Sequence, residues 1–285
     1  MSFEHFAVIK IDDSIILWRY IKKMSEILGI IAAHGALPII VASHSKKAVV
    51  ACLTGITKKS DFSEHIAEEF QIGKVSSILN FFKKHNVKNI VICGHIKRPN
   101  LSDIAVDTKG ALLLSKILAS KLLGDDKLLR IVAEYIEKEG FSIKSPMDYI
   151  HQKKIVTKIK PSKRNLHDIE IGMNASKTLG SLDIGQSVII ENGVVIAVEA
   201  AEGTDELIKR SKNLAKKTKS AIVVKSMKPN QDPRLDTPVI GVNTIVMLYE
   251  NNFAGIAIEN SGVIVINPED VLKKANELGI FIWQY

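Results

Sequence analysis

The chain has 285 residues, 46% of them hydrophobic and 25% charged, which is the composition of a globular protein long enough for two domains. Its apolar runs are far shorter than the roughly 20 residues of a membrane-spanning helix. No signal-peptide pattern opens the sequence, so we expect a cytoplasmic protein. Cys52 and Cys93 lie in apolar stretches and predict buried free thiols. The net charge of +8 favours an anionic partner but selects none, because Lys and Arg are spread along the chain.

The first half predicts a Rossmann-like βαβ domain at residues 27–150, preceded by an N-terminal arm at 1–26. The hydrophobic pattern indicates alternating strands and helices, with the last strand parallel to the first. Two further helices follow, separated at Gly124 and Asp125, with Asp125 as a cap and Gly140 as the end of the second. The predicted elements are a strand at 27–32, helices at 37–47 and 76–85, a strand at 87–94, and helices at 112–124 and 126–140.

The second half, residues 151–285, predicts a mixed α/β domain that contains a β-hairpin. The boundary is indicated by a lysine-rich stretch with two prolines at about 144–165. A helix at 167–180 should end at Gly180. The Asn192-Gly193 pair between two apolar runs is a strong hairpin signal. A final helix should be capped by Asn267, with Pro268 at its first position and Gly279 after its last.

The segment 199-EAAEGTDELIKR-210 is a candidate phosphate site. Thr204 is placed to cap a helix, and Gly203 would let backbone N–H groups approach a ligand at the start of that helix. Glu202 and Asp205 could hold a divalent cation, without which they would repel a phosphate. The alternative is a well-capped helix with no ligand.

The loop 225-KSMKPNQDPRLDTPVIG-241 would supply the other wall of the site. Lys225, Lys228 and Arg234 can bind phosphate oxygens, while the carboxylates of Asp232 and Asp236 can ligate a metal or take a proton from water. Three prolines restrict the backbone of the loop, and rigid loops hold catalytic groups in place. A solvated surface loop with local ion pairs remains the alternative.

Two turns in the first half are weaker candidates for substrate binding. Gly35 and Ala36 lie where a nucleotide diphosphate could meet the start of the following helix, although the G-x-G-x-x-G pattern is absent. Lys97 and Arg98 follow a strand end and suit a phosphate, but a basic loop without a role fits equally well. The sequence contains no G-x-S-x-G, H-E-x-x-H or P-loop motif, which excludes serine hydrolases, zincins and the common NTPases.

At these motifs the chain resembles a known family. The series 182-LDIGQSVIIENGVVIAVEAAEGTD-205, 225-KSMKPNQDPRLDTPVIG-241 and 254-AGIAIE-259 resembles the LpxI-type UDP-2,3-diacylglucosamine pyrophosphatases of lipid A biosynthesis. The similarity extends into the first half through 29-GIIAAHGALP-38 and 94-GHIKRP-99. It implies a two-domain enzyme that hydrolyses UDP-2,3-diacylglucosamine to UMP and 2,3-diacylglucosamine 1-phosphate, called lipid X.

The resemblance also implies Mg²⁺ as a cofactor and Asp236 as the essential carboxylate, since Asp236 occupies the aspartate position of the family's R-x-D-x-P element. If Mg²⁺ is the cofactor, Asp236 is expected to bind the metal or to orient the water, and Glu202 and Asp205 are expected to contact the metal or the substrate. Gln186 is expected to contact the sugar or the uridine, and Lys225, Lys228 and Arg234 the phosphate oxygens.

The acyl chains of such a substrate would bring the protein into transient contact with the inner-membrane surface, which basic residues assist. A homodimer is left open. Aromatic residues make up only 6% of the chain and no RNA-binding signature is present, so nucleic acid is not an expected partner. Two alternatives nevertheless stay open: an oxidoreductase that binds a nucleotide cofactor, and a non-catalytic basic RNA-binding protein.

Overall fold

The structure, a computed structural model, describes residues 26–96, 100, 104–120, 125–150, 154–215 and 219–285. These residues form two compact units. The first comprises the described residues up to Leu118 together with Glu134–Lys144, and the second the described residues of Ala119–Ala133 and Ser145–Tyr285. Residues 1–25 of the predicted arm lie outside the described part. Within the described ranges, no helix combines the length and apolarity required to cross a bilayer.

The first unit is built on a parallel sheet of five strands in the order β3-β2-β1-β4-β5. A short 3₁₀ helix, Lys59–Phe62, precedes β3. The strands are β1 (Leu28–Ala32), β2 (Ala48–Leu53), β3 (Ile66–Phe70), β4 (Asn89–Cys93) and β5 (Ser142–Ile143), and the helices are α1 (Leu37–Ser43), α2 (Val75–Lys84) and α3 (Thr108–Ala119). Helix α4 (Asp125–Lys138) is divided between the units, since its residues up to Ala133 belong to the second unit and those from Glu134 to the first. The chain order reverses between β1 and β4, as in other doubly wound sheets. The Rossmann-like prediction is therefore confirmed.

The predicted strands at 27–32 and 87–94 are confirmed as β1 and β4, and they pair directly in parallel register. The prediction missed β2 and β3. Every residue of β2 is buried, so its sequence AVVACL shows no alternation, and such a short apolar run cannot be distinguished from a buried helix by period. Strand β3 carries exposed Glu68 and Glu69 and lacks an apolar pattern altogether.

The second unit contains a mixed sheet of five strands in the order β12-β10-β8-β6-β7. Strands β8, β10 and β12 are parallel, and β6 and β7 form the predicted antiparallel hairpin at the opposite edge. The strands are β6 (Ser187–Glu191), β7 (Val194–Val198), β8 (Ile222–Lys225), β10 (Gly255–Ile258) and β12 (Phe281–Gln284), with β9 (Val239–Ile240) and β11 (Ile264–Val265) pairing separately.

Helices cover both faces of this sheet. They are α5 (Lys163–Ser181), α6 (Thr204–Ser211), α7 (Val242–Glu250) and α8 (Pro268–Leu278), and a 3₁₀ helix at Pro146–Tyr149 precedes them. On one face Ile169 and Met173 of α5 pack against Val188, Val224 and their neighbours. On the other face, α6, α7 and α8 bury Leu207, Leu248 and Val271. The unit is thus a three-layer α/β structure, a common way of covering a sheet on both sides.

The helix predicted at 167–180 is longer in the structure. Helix α5 begins at Lys163, where Ser162 caps it by accepting from the N–H of Asn165, and it continues through Gly180. Gly180 is instead a packing residue, since a Cβ there would lie 3.1 Å from the Cα of Lys228. Asn267 is the N-cap of α8, as predicted, although its backbone is left-handed and its side chain makes no capping hydrogen bond to the described residues of α8. Pro268 and Gly279 occupy the positions expected of them.

The two cysteines are buried free thiols, as predicted. Burial raises the pKa of the Cys52 thiol to about 11, with a smaller contribution from the carboxylates of Glu69 and Asp61. Burial also raises the pKa of Cys93. Both side chains belong to strands at the centre of the first sheet, so they act as small apolar core residues.

A buried carboxylate fixes the β6–β7 hairpin. Asn192 and Gly193 both have positive φ, 54° and 81°, as a two-residue hairpin turn with the twist of its strands requires. Their N–H groups donate to the two carboxylate oxygens of Asp168 on α5, at 3.1 Å and 2.6 Å. Asp168 is only 1% exposed, so these bonds are shielded from water. Asp168 therefore ties α5 to the turn.

We predict that Asp168→Ala destabilises the protein by about 3 kcal/mol, because it removes two charge-assisted hydrogen bonds and leaves two N–H groups without an acceptor. Glu170→Ala, at an exposed position on the same helix, is the matched control and should change stability little. Urea unfolding monitored by circular dichroism measures both. A stability of Asp168→Ala equal to that of the control would contradict the assignment.

Candidate active site

Three polar side chains form a row across one end of the second sheet. Ser187 of β6 pairs with Lys225, the last residue of β8. On its other side Ser187 accepts the backbone N–H of Glu199 at 2.9 Å, which extends the pairing of β6 with β7 by one residue. All three are buried, with Lys225 and Glu199 each 6% exposed and Ser187 fully covered. Polar residues in such a place need partners, because an unpaired buried charge is costly.

Thr204 supplies the central partner. The prediction that Thr204 caps α6 was wrong: Gly203, with φ of 82°, is the N-cap, and Thr204 is the first helical residue. Its hydroxyl accepts from the Lys225 ammonium at 2.9 Å and donates to the Glu199 carboxylate at 3.2 Å. The hydroxyl of Ser187 lies 3.3 Å away. The turn at 199–205 and the loop after β8 therefore meet at this hydroxyl.

Several acids surround the buried ammonium of Lys225. Burial is the largest influence and lowers the pKa of Lys225, while the carboxylates of Glu199, Asp205 and Asp236 act on it in the opposite direction. These carboxylates come from separate positions: the end of β7, the first turn of α6 and the loop after β8. One cation and several acids are thus gathered at the carboxyl end of β8, where ligands of α/β sheets usually bind.

Asp236 is held by a residue to which the sequence analysis gave no role. The side-chain amide of Gln231 donates to Asp236 at 2.6 Å, and its oxygen accepts the backbone N–H of Lys228 at 3.2 Å. Gln231 is itself buried. The sequence shows only that Gln231 lies in the middle of the charged loop. A solvent-exposed glutamine without a role would look the same, so the role of Gln231 could not be predicted. Asp236 is half-buried.

Residues on one side of the loop fix its first turn. Glu259, just beyond β10, accepts the backbone N–H of Met227 at 2.8 Å and the ammonium of Lys177 at 2.5 Å. Lys177 also donates to the carbonyl of Met227 at 3.2 Å. Below them the buried hydroxyls of Ser176 and Ser226 lie 2.8 Å apart. The C-terminal half of α5 thus holds the loop where it leaves the sheet.

Helix α4 holds the next part of the same loop. The carboxylate of Asp126 accepts the backbone N–H of Asp232 at 3.3 Å, and Arg130 donates to the carbonyl of Asn230. Arg130 and Asp126 form an ion pair of 2.7 Å one turn apart. These residues of α4 belong to the second compact unit, although they precede the predicted boundary in sequence.

Two of the basic residues predicted to bind phosphate, Lys228 and Arg234, lie in this loop and already have acidic partners. Arg234 forms a forked pair with Asp232, whose pKa is lowered mainly by the Arg234 hydrogen bond. Lys228 contacts Asp183 at 2.7 Å and is mostly covered.

Of the three predicted metal ligands, Glu202 has a different partner. Its carboxylate receives two hydrogen bonds from Arg210, at 3.1 Å and 2.7 Å, and these bonds lower its pKa. Across the described ranges, no group of three or more His, Cys, Asp or Glu side chains is arranged to hold a metal ion. A preformed cage of Asp236, Glu202 and Asp205 is therefore not present in this part of the chain.

Two buried oxygen atoms close to this row lack hydrogen-bond donors. They are Oε2 of Glu199 and Oε1 of Gln186, neither of which has a partner among the described residues. Gln186 immediately precedes Ser187, and its carbonyl accepts the N–H of Ser226 at 3.0 Å. Buried polar atoms in native proteins are nearly always paired with protein, water or ligand. Both atoms therefore point to a group that completes the site.

The weaker candidates of the first half lie in the first unit, at the switch point of its sheet. Gly35 has φ of 112°, and Ala36 is the residue before α1. The neighbouring loops are joined by backbone hydrogen bonds between His34 and His95, at 3.1 Å and 2.8 Å. Lys97 and Arg98 lie outside the described residues. The nucleotide role of Gly35 and Ala36 stays a prediction.

Together, a Rossmann-like parallel unit and a mixed three-layer unit with a buried lysine at a strand end define a two-unit α/β protein.

Comparison with known proteins places it in a family. The model of the LpxI N-terminal domain matches residues 27–153, and that of the LpxI C-terminal domain matches residues 152–283. The UDP-2,3-diacylglucosamine pyrophosphatase LpxI of Caulobacter vibrioides is 30% identical over 270 residues, which cover 90% of this chain and 96% of that protein. The chain belongs to the LpxI family. These comparisons do not support the oxidoreductase or the RNA-binding alternative.

We predict that Glu259→Ala loosens the loop at 226–236, because Met227 loses its acceptor and Lys177 its counter-ion. Hydrogen exchange should show faster exchange of the Met227 amide, by at least about tenfold, since lost protection of about 1.4 kcal/mol corresponds to that factor. Glu277→Ala, which removes an exposed ion pair with Lys274, is the control. Unchanged protection of Met227 in Glu259→Ala would refute the anchoring role.

Proposed function

We propose that this protein hydrolyses the pyrophosphate bond of UDP-2,3-diacylglucosamine and releases UMP and 2,3-diacylglucosamine 1-phosphate, lipid X, in lipid A biosynthesis. The named relative, similar along nearly its whole length, supports the activity. The observation that carries the proposal from the structure is the buried Lys225 ammonium at the end of β8, which is hydrogen-bonded to Thr204 and feels the charges of Glu199, Asp205 and Asp236. Cleavage of a diphosphate requires positive charge beside the phosphate oxygens and a base or orienting group for water.

The two requirements divide between the residues of the site. Lys225, in a setting from which water is largely excluded, contacts phosphate oxygens more strongly than an exposed lysine would. Asp236, held by Gln231, orients the attacking water and accepts its proton. Lys228 and Arg234 add positive charge at the rim of the loop while each remains shared with an acid. Gln186, Gly203 and Thr204 line the approach to the buried row.

Mg²⁺ is part of the proposal, with a smaller ligand set than the sequence suggested. Magnesium is usually held by one or two carboxylates together with substrate phosphates and waters. Asp205 and Asp236, which both act on Lys225, suit that donor set, and Glu202 does not because Arg210 engages it. When bound, the ion would neutralise charge on the diphosphate oxygens.

We place the reaction in the cytoplasm, at the surface of the inner membrane. A diacylated substrate partitions into the bilayer, and the excess of basic over acidic residues, 39 against 31, favours transient contact with anionic lipid. No anchor is required for this kind of contact.

Purified protein should release UMP from UDP-2,3-diacylglucosamine in the presence of Mg²⁺. EDTA should abolish the release and excess Mg²⁺ should restore it, since charge neutralisation of the diphosphate depends on the ion. Chromatography of UMP and thin-layer analysis of the lipid product measure both halves of the reaction. Release of UMP at an undiminished rate in EDTA would exclude the metal part of the proposal, and no release under any condition would exclude the activity.

Replacing Asp236 by Ala should lower kcat by about a thousandfold, the scale expected for loss of a general base. Glu202→Ala should stay within about threefold of the unaltered protein, because it removes only a partly exposed ion pair with Arg210. Steady-state UMP release compares the two. Equal loss in both variants would contradict the separate roles given to these carboxylates.

A further inference from the structure

The contacts of Thr204 determine the direction of the hydrogen bonds in the buried row. The Lys225 ammonium can only donate, so the Thr204 oxygen accepts from it. The carboxylate of Glu199 accepts the single hydroxyl proton of Thr204. Ser187 must then be the donor in its 3.3 Å contact with Thr204. The order Lys225 to Thr204 to Glu199 is therefore fixed, and each group depends on the next for its orientation.

The carboxylate of Glu199 is only partly satisfied by hydrogen bonds from the described residues. It is 6% exposed, and the Thr204 hydroxyl is the donor to its Oε1, whereas Oε2 has no donor among the described residues. A buried carboxylate with one neutral donor keeps most of its field unscreened. That field acts on Lys225, for which Glu199 is the first among the surrounding acids.

Glu199 also lies outside the loop that carries Asp236. It follows β7 directly, and its backbone N–H is paired to Ser187 at 2.9 Å, so its position is set by the sheet. Close packing with Gly185 restricts it further, because a Cβ at Gly185 would lie 2.2 Å from the carbonyl oxygen of Glu199. A charge fixed on a rigid element suits the positioning of a second group.

We propose that Glu199 is a positioning residue for the hydrolytic reaction: through the Thr204 hydroxyl it holds the Lys225 ammonium where the diphosphate binds. This inference rests on the proposed function. In this role Glu199 acts on the reaction through Thr204 and not by direct contact with the attacking water or the phosphate. It fixes the direction of an ammonium that would otherwise have free rotation about four side-chain bonds, and fixed charges stabilise a transition state without reorganisation.

The experiment combines kinetics with a spectroscopic signal of Lys225. Glu199→Gln keeps the shape and an acceptor but removes the charge, Thr204→Val removes the bridge, and Thr204→Ser restores the hydroxyl. We expect kcat to fall about tenfold in Glu199→Gln and Thr204→Val with KM within twofold, because the ammonium acts mainly on the transition state. Thr204→Ser should recover most of the loss. Glu206→Gln, exposed on the same helix and paired with Lys209, is the matched control.

The double variant Glu199→Gln with Thr204→Val distinguishes positioning from a structural role. Residues that act through one another lose no more together than singly, whereas independent losses would multiply to about a hundredfold. A hundredfold loss in the double variant, or wild-type kcat in both single variants, would overturn the inference.

The spectroscopic signal does not depend on turnover. In protein labelled with ¹⁵N-lysine, a buried and hydrogen-bonded ammonium exchanges slowly enough with water to be observed, and Lys225→Met identifies its resonance. The resonance should disappear in Thr204→Val and return in Thr204→Ser. Absence of UMP release by the unaltered protein defeats the proposed function, while a Lys225 resonance that is unaffected by Thr204→Val in an active enzyme defeats the role of Glu199.

Discussion

The second unit is organised around one buried positive charge. An ammonium at the end of a central strand cannot remain there without acceptors, because moving a charge out of water costs several kcal/mol. Lys225 meets this requirement through Thr204 and through the field of Glu199 and its neighbours. Helix α6, the end of β7 and β8 each contribute one residue to this row, namely Thr204, Glu199 and Lys225. The features that stabilise the lysine are the same ones that make the site suitable for an anionic ligand.

Much of the fold could be predicted from local patterns. The Asn192-Gly193 turn, the Pro268 and Gly279 boundaries and the parallel relation of β1 and β4 each follow from a local rule and are found in the structure. The features that were predicted incorrectly have a common cause, since tertiary contacts and not local sequence determined them. Gly180 is a glycine because it packs closely against Lys228 and not because the helix ends there, and β2 was missed because burial on both faces removes the alternation that marks a strand.

The site was predictable as a set of segments but not as a set of contacts. The sequence indicated that the turn at 199–205 and the loop at 225–241 belong together, and they meet at Thr204. It could not indicate which charges neutralise each other locally. Glu202 with Arg210 and Asp232 with Arg234 are pairs that depend on the path of the backbone. Glu199 and Gln231 escaped notice for the opposite reason, since a residue that orients another carries no motif of its own.

The anchoring of the loop by α4 bears on how the polypeptide can be divided. Asp126 and Arg130 lie in the half of the sequence that the LpxI N-terminal domain model matches, yet they hold Asp232 and Asn230 within the second unit. A C-terminal fragment cut at the family boundary would retain every acid and base assigned to the chemistry and still lose two of the supports that shape the loop. The loop after β8 is therefore shaped in part by residues that a cut at the family boundary would remove.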